Sequence, residues 1–435
     1  MTRLTLRTVR DETEADAASC RLARTSHSSH KWNLSPKVQF KTGHYNFGHE
    51  SSARTRARFG GIKEEMRIAQ IAPLYESVPP RLYGGTERVV AHLSDELIRR
   101  GHDVVLFASG DSKTTAQLVP CRGIALRLDG RLSWDIPAHL SMLAEVRKRA
   151  LDFDILHFHL DCFHLPLFHD MVDRTLTTMH GRQDIADLRS IHRHFPNYPL
   201  VSISNSQRRA LPHLNWVKTI HHGYPKSQYA FSPVATGGYL AFLGRIAPEK
   251  GVDRAIEIAR GAGFPLRIAA KVDRADTDYF EARIKPLLTE PGVEFIGEIA
   301  EAEKSEFLGA ASALLFPISW PEPFGLVMIE AMACGTPVIA FRQGSVPEVL
   351  KNGLTGFIVE TVDEAAAAVS QLGSIDRTKV RVTFERRFSV EVMAKNYERS
   401  YADICALRED VVPMHRRTNR MALRDLQAGS QEQVL

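Results

Sequence analysis

The distribution of apolar and polar positions divides most of the chain into two consecutive series of predicted strands and helices. In the first series, residues 66–232, short apolar runs alternate with helical periodicity, as in a helix that places Val89, Leu93 and Leu97 on one face. Its predicted strands are 67–72, 103–108, 154–160, 175–179, 200–204 and 218–221. These strands are apolar throughout, which is typical of a parallel sheet that helices cover on both faces.

The second series, residues 239–388, follows a linker at 231–238 that contains Pro, two Gly and small residues. Its predicted strands are 239–243, 266–270, 293–296, 313–316, 338–341 and 356–359. The pattern predicts an α/β protein with two doubly wound, parallel-sheet (Rossmann-like) domains that face each other across a cleft. In such sheets, ligands bind at the carboxyl ends of the strands.

The two ends of the chain lack this periodicity. We predict that residues 1–65 form a disordered or weakly ordered basic extension and that residues 411–435 form a mobile tail. An alternative is that the natural chain starts at Met66, while the acidic residues within 11–16 disfavour a transit peptide. Residues 1–65 contain 12 Lys and Arg against 7 Asp and Glu, which accounts for the formal net charge of +5. The body is therefore neutral, and its charge indicates no nucleic-acid partner.

Composition and cysteine usage predict the compartment. No apolar run approaches the roughly 20 residues of a membrane span, and the N-terminus lacks the apolar core of a signal peptide. The five cysteines are odd in number and show no metal-like pairs, which argues against a disulfide framework and a zinc site. We therefore predict a cytoplasmic protein without a transmembrane segment, and peripheral contact with a membrane stays open.

The strongest candidate site is the segment Glu322-Pro-Phe-Gly-Leu-Val-Met-Ile-Glu330, in which two carboxylates bracket a turn and the start of an apolar helix. A helix N-terminus offers free backbone N–H groups and the positive end of the helix dipole, which suits a diphosphate. The amides of Phe324, Gly325 and Leu326 lie at this N-terminus, and the two carboxylates can accept hydrogen bonds from flanking sugars. The segment predicts a sugar-nucleotide site, although paired glutamates on a helix are also common on solvated surfaces.

Two other loops fit the same ligand. Arg245 and Lys250 lie on one glycine-bordered loop, where they can bind and neutralise a departing diphosphate. In metal-dependent transferases a metal ion held by an Asp-x-Asp motif supplies this charge, and because the sequence lacks such a motif we predict no metal. Gly84 and Gly85 form a turn at which backbone can approach a ligand closely, or a plain turn before a helix.

Further candidates follow predicted strands. His180 can hydrogen-bond a sugar hydroxyl at the cleft, although a lone histidine is more often structural. Lys271 and Glu298 are candidates for the surroundings of the nucleotide base and phosphate, or else solvated loop residues. His157 and His159 share one face of a strand and, with Asp161, could hold a metal ion. No Cys or acidic cluster at zinc-like spacing supports such a site, so a metal is disfavoured.

Several segments of the chain together resemble one family of glycosyltransferases. They read YGGTERVVAHLSDELIRRGHDV, TTMHGR, FLGRIAPEKGVDRAIEIA, FIGEI, EPFGLVMIEAMACGTPVIA and GSVPEVLKNGLTGFIV. The chain resembles the retaining glycosyltransferases that carry a Glu-x7-Glu motif on a GT-B fold (glycosyltransferase family 4). The residues of its motifs are similar to those of bacterial members. The resemblance runs with gaps from Met66 to Arg408 and implies that a helix at 389–410 crosses back to the first domain.

The resemblance implies a metal-independent transfer, with retention of configuration, of a hexose from a UDP- or GDP-sugar to an acceptor hydroxyl, without a cofactor. It implies that Glu322 holds the transferred sugar and Glu330 the ribose. Arg245 and Lys250 would bind the diphosphate, and His180 would lie beside the donor sugar. The first domain would bind the acceptor and the second domain the donor.

Two alternatives stay open at the level of sequence. A non-catalytic sugar-nucleotide-binding protein would use the same donor site without turnover. Another GT-B activity, such as that of a phosphorylase, would be separated from a transferase by the phosphate product that it releases. The sequence also leaves open the acceptor (a small molecule, a glycan or a lipid-linked group), the donor sugar, the nucleotide base and the oligomeric state.

Overall fold

The computed structural model describes residues 65–82, 84–129 and 134–408, which belong to one compact unit, Phe59–Leu435. The predicted basic extension, apart from Glu65, and the predicted tail at 411–435 lie outside the described residues. Within them, strands and helices alternate along the chain and form two parallel sheets.

The first sheet has seven parallel strands in the order β3-β2-β1-β4-β5-β6-β7. These strands are β1 (Arg67–Ile71), β2 (Asp103–Ser109), β3 (Gln117–Arg122), β4 (Ile155–Phe158), β5 (Thr175–Met179), β6 (Leu200–Ser202) and β7 (Trp216–Thr219). Its helices are α1 (Gly85–Arg99), α2 (Ile136–Lys148), α3 (Ala186–His194) and α4 (Asn205–Arg208). The central strand β1 pairs with β2 on one side and β4 on the other, and separate apolar clusters cover its two faces.

The first sheet differs from the sequence prediction at its two edges. The sequence pattern misses β3, because its residues are mixed polar and apolar, include Pro120 and are at most partly buried. Strand β7 begins at Trp216 rather than at the predicted position 218. Edge strands of a parallel sheet need no continuous apolar run, so hydrophobic patterning locates them poorly.

The second sheet has six parallel strands in the order β10-β9-β8-β11-β12-β13. These strands are β8 (Leu240–Arg245), β9 (Leu266–Lys271), β10 (Val293–Gly297), β11 (Ala313–Phe316), β12 (Val338–Phe341) and β13 (Gly356–Val359). Its helices are α5 (Val252–Ala262), α6 (Thr277–Tyr279), α7 (Lys304–Ala310), α8 (Leu326–Ala333), α9 (Val346–Val349), α10 (Val362–Val369) and α11 (Arg377–Arg387). The prediction of two parallel-sheet α/β domains is confirmed.

A last helix, α12 (390–408), returns from the second sheet to the first. Its tyrosines Tyr397 and Tyr401 are fully buried in the apolar cluster that also contains residues of β1 and α1. Glu398 accepts hydrogen bonds from Arg100 and His102 of the first domain. Although burial opposes ionisation, these hydrogen bonds lower the pKa of Glu398 to about 2. No helix in the described part of the chain is long and apolar enough to cross a bilayer.

Candidate active site

A cavity of about 460 Å³ opens between the carboxyl ends of the strands of the two sheets. Every residue that the sequence assigned to the site lines this cavity. These residues are Gly84, Gly85, His180, Arg245, Lys250, Lys271, Glu298, Glu322, Phe324, Gly325, Leu326 and Glu330. Parallel strands place the residues that follow them along one edge of a sheet, which is why positions distant in sequence converge here.

The segment Glu322–Glu330, here called the donor segment, forms the loop before α8 and the first turns of this helix. Gly325 precedes the helix with φ of 77°, and a Cβ there would lie 2.8 Å from Met328 Cε, so only glycine fits this turn. The Phe324 ring is 2 % exposed and packs against His222 and Phe388. Phe324 therefore holds the helix start in place, and only its backbone can serve a ligand.

Lys250 and Glu322 form an ion pair beside this helix start. Lys250 Nζ lies 2.5 Å from Glu322 Oε2, and the two side chains are 18 % and 12 % exposed. Lys250 Nζ also lies 4.7 Å from the centre of the Trp320 ring. A cation, which suits a phosphate, and a carboxylate, which suits sugar hydroxyls, are thus held together at the N-terminus of α8.

Arg245, at the end of β8, is surrounded by carboxylates that the sequence prediction did not include. It forms ion pairs with Asp276 and, at 2.7 Å, with Glu249, and its Nε lies 3.8 Å from Asp273. Asp273 also pairs with Lys271 at 2.9 Å. The phosphate-binding cations predicted from the sequence are present at the cavity, but each is already paired.

Glu330 is buried, at 4 % exposure, within a polar network. Its Oε1 accepts hydrogen bonds from Tyr224, at 2.8 Å, and from Lys304, at 3.1 Å. Lys304 also pairs with Glu301 at 3.0 Å, and Glu301 pairs with Arg88 of α1 at 3.0 Å. Burial raises the pKa of the Tyr224 phenol well above its ordinary value, so it remains a proton donor to Glu330.

The glycine turn of the first domain lies against the donor segment of the second. Gly84 has φ of 151°, and a Cβ at this position would lie 2.7 Å from Pro80 Cβ. A Cβ on Gly85 would lie 3.0 Å from Leu326 Cδ1 of α8. The absence of a side chain at Gly84 allows a tight turn within the first domain, and its absence at Gly85 lets the two domains approach each other at the cavity.

A chain of buried hydrogen bonds connects His180 to α12. In order, its members are His180, His159, Gln70, Tyr401, His157, Thr178 and Tyr397. His180 Nε2 and His159 Nδ1 are 2.8 Å apart, as are His159 Nε2 and Gln70 Oε1. Burial lowers the pKa of His180 to about 3, so the ring is neutral at physiological pH.

The hydrogen-bond chain also accounts for His157 and His159. Both ring nitrogens of each histidine have a side-chain partner within the chain. Among the residues that the structure describes, no group of three or more His, Cys, Asp or Glu side chains is arranged to hold a metal ion.

Two family models match the chain, one on each sheet. The model described as Glycosyltransferase Family 4 matches residues 83–221, and the model described as Glycosyl transferases group 1 matches residues 231–383. Between them they include the glycine turn, His180 and the whole donor segment. The chain belongs to the group 1 glycosyltransferases.

Curated relatives place this glycosyltransferase among enzymes with different acceptors. Glycogen synthase of Mycobacterium tuberculosis is 27% identical over 363 residues, which cover 72% of this chain and 86% of the relative. Phosphatidyl-myo-inositol mannosyltransferase of Mycobacterium leprae is 26% identical, over 78% of this chain and 97% of the relative. The N-acetyl-alpha-D-glucosaminyl L-malate synthase of Bacillus anthracis is 34% identical, over 29% of this chain and 34% of the relative.

Solved structures show the GT-B fold. Sucrose-phosphate synthase of Thermosynechococcus elongatus matches with a TM-score of 0.65 and 18% identity, over 79% of this chain and 100% of that structure. An Anabaena protein solved in complex with UDP and glucose matches with a TM-score of 0.61 and 18% identity, over 77% of this chain and 99% of that structure. At this identity the likeness concerns the fold alone.

The sequence prediction considered Asp161 only as a disfavoured metal ligand. It omitted further residues that line or support the cavity of this glycosyltransferase: Arg88, His222, Tyr224, Glu301 and Lys304. A local signal was available for Asp161 and for two of the others. Arg88 lies one helical turn after the glycine pair, Asp161 follows the predicted strand at 154–160, and His222 follows the one at 218–221. Glu301 and Lys304 carry no such signal, because only the fold brings them to Glu330.

Proposed function

We propose that this glycosyltransferase retains the anomeric configuration, needs no metal ion, and moves a hexose from a UDP- or GDP-sugar to an acceptor hydroxyl. The observation that carries the proposal is the Lys250–Glu322 ion pair beside the N-terminus of α8. A phosphate-binding cation, a sugar-binding carboxylate and the free amides of a helix meet there at one point.

Lys250 and Arg245 bind the diphosphate in the proposed complex. As the bond between the sugar C1 and the phosphate oxygen breaks, negative charge develops on the diphosphate, and two cations and a helix N-terminus stabilise it. The donor phosphates compete with Glu322 for Lys250 and with Asp276 and Glu249 for Arg245. Binding of the donor therefore releases Glu322 to accept hydrogen bonds from the hydroxyls of the hexose.

Glu330 binds the ribose of the donor from its buried position in α8. The hydrogen bonds from Tyr224 and Lys304 fix its carboxylate, so that little side-chain entropy is lost when ribose hydroxyls bind. His180 completes the site from the first domain, as a neutral ring that can hydrogen-bond a hydroxyl of the transferred sugar.

Retention follows from attack on the same face of the sugar that the diphosphate leaves. The acceptor oxygen forms its bond to C1 while the bond from C1 to the phosphate oxygen breaks. The acceptor proton passes to the departing phosphate oxygen, so the step needs no covalent enzyme intermediate. The ion pair between Arg88 and Glu301 joins the two domains beside this reaction and helps to keep water out.

The comparisons support a nucleotide-sugar donor and hexosyl transfer. The relatives named glycogen synthase and phosphatidyl-myo-inositol mannosyltransferase are named for glucan synthesis and mannosyl transfer, and a protein of the same fold was solved with UDP and glucose. The relatives are named for different products and substrates. They therefore support the class of reaction and not one particular acceptor.

The test is a donor screen on the purified full-length protein. UDP-glucose, UDP-galactose, GDP-mannose and ADP-glucose are each incubated with and without EDTA, and release of nucleoside diphosphate is measured. We expect release that survives EDTA and, with an accepted alcohol, an α-linked product from an α-linked donor by NMR. A strict need for Mg²⁺ or Mn²⁺, an inverted linkage or release of inorganic phosphate would contradict the proposal.

A further inference from the structure

The cavity has a second wall, which the donor does not use. Apart from His180, the groups assigned to the donor phosphates, hexose and ribose come from the second domain: from β8 and the loop after it, and from the loop before α8 and α8 itself. The opposite wall comes from the first domain and includes Glu87, Arg127, Asp161 and His222. On the proposed function, this first-domain wall binds the acceptor, so its chemistry selects the acceptor.

Glu87 lies in the first turn of α1 and is 4 % exposed. Burial raises the pKa of its carboxyl to about 7, even though the neighbouring Arg127 acts in the opposite direction. Glu76, a second carboxylate, lies close enough to raise the pKa of Glu87 further. This part of the wall therefore holds more acidic groups than Arg127 alone can neutralise.

Two cations of the first domain line the cavity, and the charge of each is already shared: Arg88 pairs with Glu301, and Arg127 pairs with Glu76. Arg127 Nη1 lies 3.3 Å from Glu76 Oε1, and its guanidinium lies 5.6 Å from the centre of the Tyr75 ring. An anionic acceptor would have to take Arg127 from Glu76 and would leave two carboxylates uncompensated.

Asp161 adds a carboxylate further along the same wall. It follows β4 with φ of 48°, a left-handed conformation that is uncommon for a residue with a side chain. Burial raises the pKa of Asp161 to about 6, against the effect of a hydrogen bond from the Gly181 backbone.

His222 contributes a buried polar side chain to the same wall. His222 is 3 % exposed, lines the cavity, and its Nδ1 has no hydrogen-bond partner within the described residues. Since burial lowers the pKa of His222 well below its ordinary value, the ring offers a neutral polar atom and not a positive charge.

We infer that the acceptor is a neutral or cationic molecule rich in O–H and N–H donors, such as a polyol or an amino-bearing compound, rather than a phosphorylated or carboxylated one. Glu87 and Asp161 accept hydrogen bonds from such donors, and their charge repels an anion at the same position. The wall thus selects against anionic acceptors as well as for hydrogen-bond donors.

The experiment compares acceptors that differ mainly in charge, with the donor that the screen identifies. The probes are myo-inositol against myo-inositol 1-phosphate, and glucose and glucosamine against glucose 6-phosphate and gluconate. At pH 8, kcat/KM for the neutral or amine member should exceed that of its anionic partner by about tenfold or more. Asp161→Asn and Glu87→Gln should each narrow this ratio, whereas Asp187→Asn, which removes an exposed carboxylate of α3, should leave it unchanged.

Three outcomes would overturn the inference: an anionic member preferred, a ratio that neither cavity variant changes, or no transfer to any neutral or amine member by a protein that hydrolyses its donor. Nucleoside diphosphate released from the donor without acceptor separates this failure from a failure of the proposed function. If the wild-type protein releases none from any donor, the proposed function fails, and the acceptor inference fails with it.

Discussion

Arg88 of the first domain lies 3.0 Å from Glu301 of the second, so that one ion pair bridges the cavity. The two side chains are only 6 % and 18 % exposed. Lys304 continues the contact from Glu301 to Glu330, the second carboxylate of the donor segment. The first domain is therefore in electrostatic contact with the proposed ribose site, although the two are far apart in sequence.

Breaking this bridge should affect both stability and donor binding. Arg88→Met leaves Lys304 as the remaining cation beside the largely buried Glu301 carboxylate, and removal of one partner of a buried ion pair costs about 3 kcal/mol or more. We expect a lower midpoint of urea unfolding and a higher KM for the donor. Arg99→Met is the matched control, because Arg99 lies exposed at the other end of α1 and forms its ion pair with Glu96 of the same helix. Equal unfolding midpoints for the two variants would contradict the importance of the bridge.

The phosphate assignment predicts a large loss of turnover. Lys250→Ala and Arg245→Ala should each lower kcat by about 10²-fold or more, because each removes charge stabilisation from the transition state. Arg267→Ala is the control, since Arg267 also lies in the second sheet and pairs with a carboxylate, Glu294, but does not line the cavity. Near-normal turnover in both cavity variants, with kcat measured at saturating donor, would show that the diphosphate binds elsewhere.

The central strands and the donor segment could be predicted from the sequence, because the features that identify them lie within short stretches of the chain. Continuous apolar runs mark the central strands, and the spacing from Glu322 to Glu330 places one carboxylate on a loop and the other within a helix. The sequence pattern did not predict edge strand β3, because its residues are only partly buried and mix polar with apolar side chains.

The electrostatic neighbours could not be predicted in the same way. Asp276 binds Arg245, and Glu301 binds Arg88, only because the fold brings separate segments of the chain together. No periodicity or spacing in the sequence encodes such pairs. The sequence therefore located Arg245, Lys250 and Glu322 but not Asp276 or the Arg88–Glu301 pair.

Asp161 should make stability depend on pH in a defined direction. Its pKa is about 6 in the folded protein, above the ordinary value of 3.8. A raised pKa stabilises the fold at low pH, and this contribution is lost as pH rises through the folded value. Asp161→Asn should therefore raise Tm relative to the wild type at pH 8 by roughly 2 °C or more, and less at pH 5.

The comparison is a thermal melt of both proteins at the two pH values. Asp278→Asn serves as the control, because Asp278 is exposed. A difference between Asp161→Asn and wild type that is the same at both pH values would show that the carboxylate ionises normally in the fold.

The hydrogen-bond chain predicts which nitrogen of His180 carries its proton. Gln70 Oε1 can only accept, so His159 Nε2 must donate to it. Neutral His159 then accepts at Nδ1, and His180 must donate from Nε2, which leaves His180 Nδ1 without a proton. We expect ¹⁵N NMR of histidine-labelled protein to show the Nε2–H tautomer for His180, assigned by comparison with His180→Asn.

Gln70→Glu should reverse this arrangement. A carboxylate beside His159 favours its protonated form, whose Nδ1–H would donate to His180 Nε2 and move the His180 proton to Nδ1. The wild type should show no His180 titration between pH 5 and 8, because its pKa is about 3, whereas the pH profile of kcat/KM for Gln70→Glu should gain an acidic limb. Tyr397→Phe, at the far end of the chain, should leave the His180 tautomer unchanged. An Nδ1–H tautomer in the wild type, or one that Gln70→Glu does not alter, would show that Gln70 does not control His180.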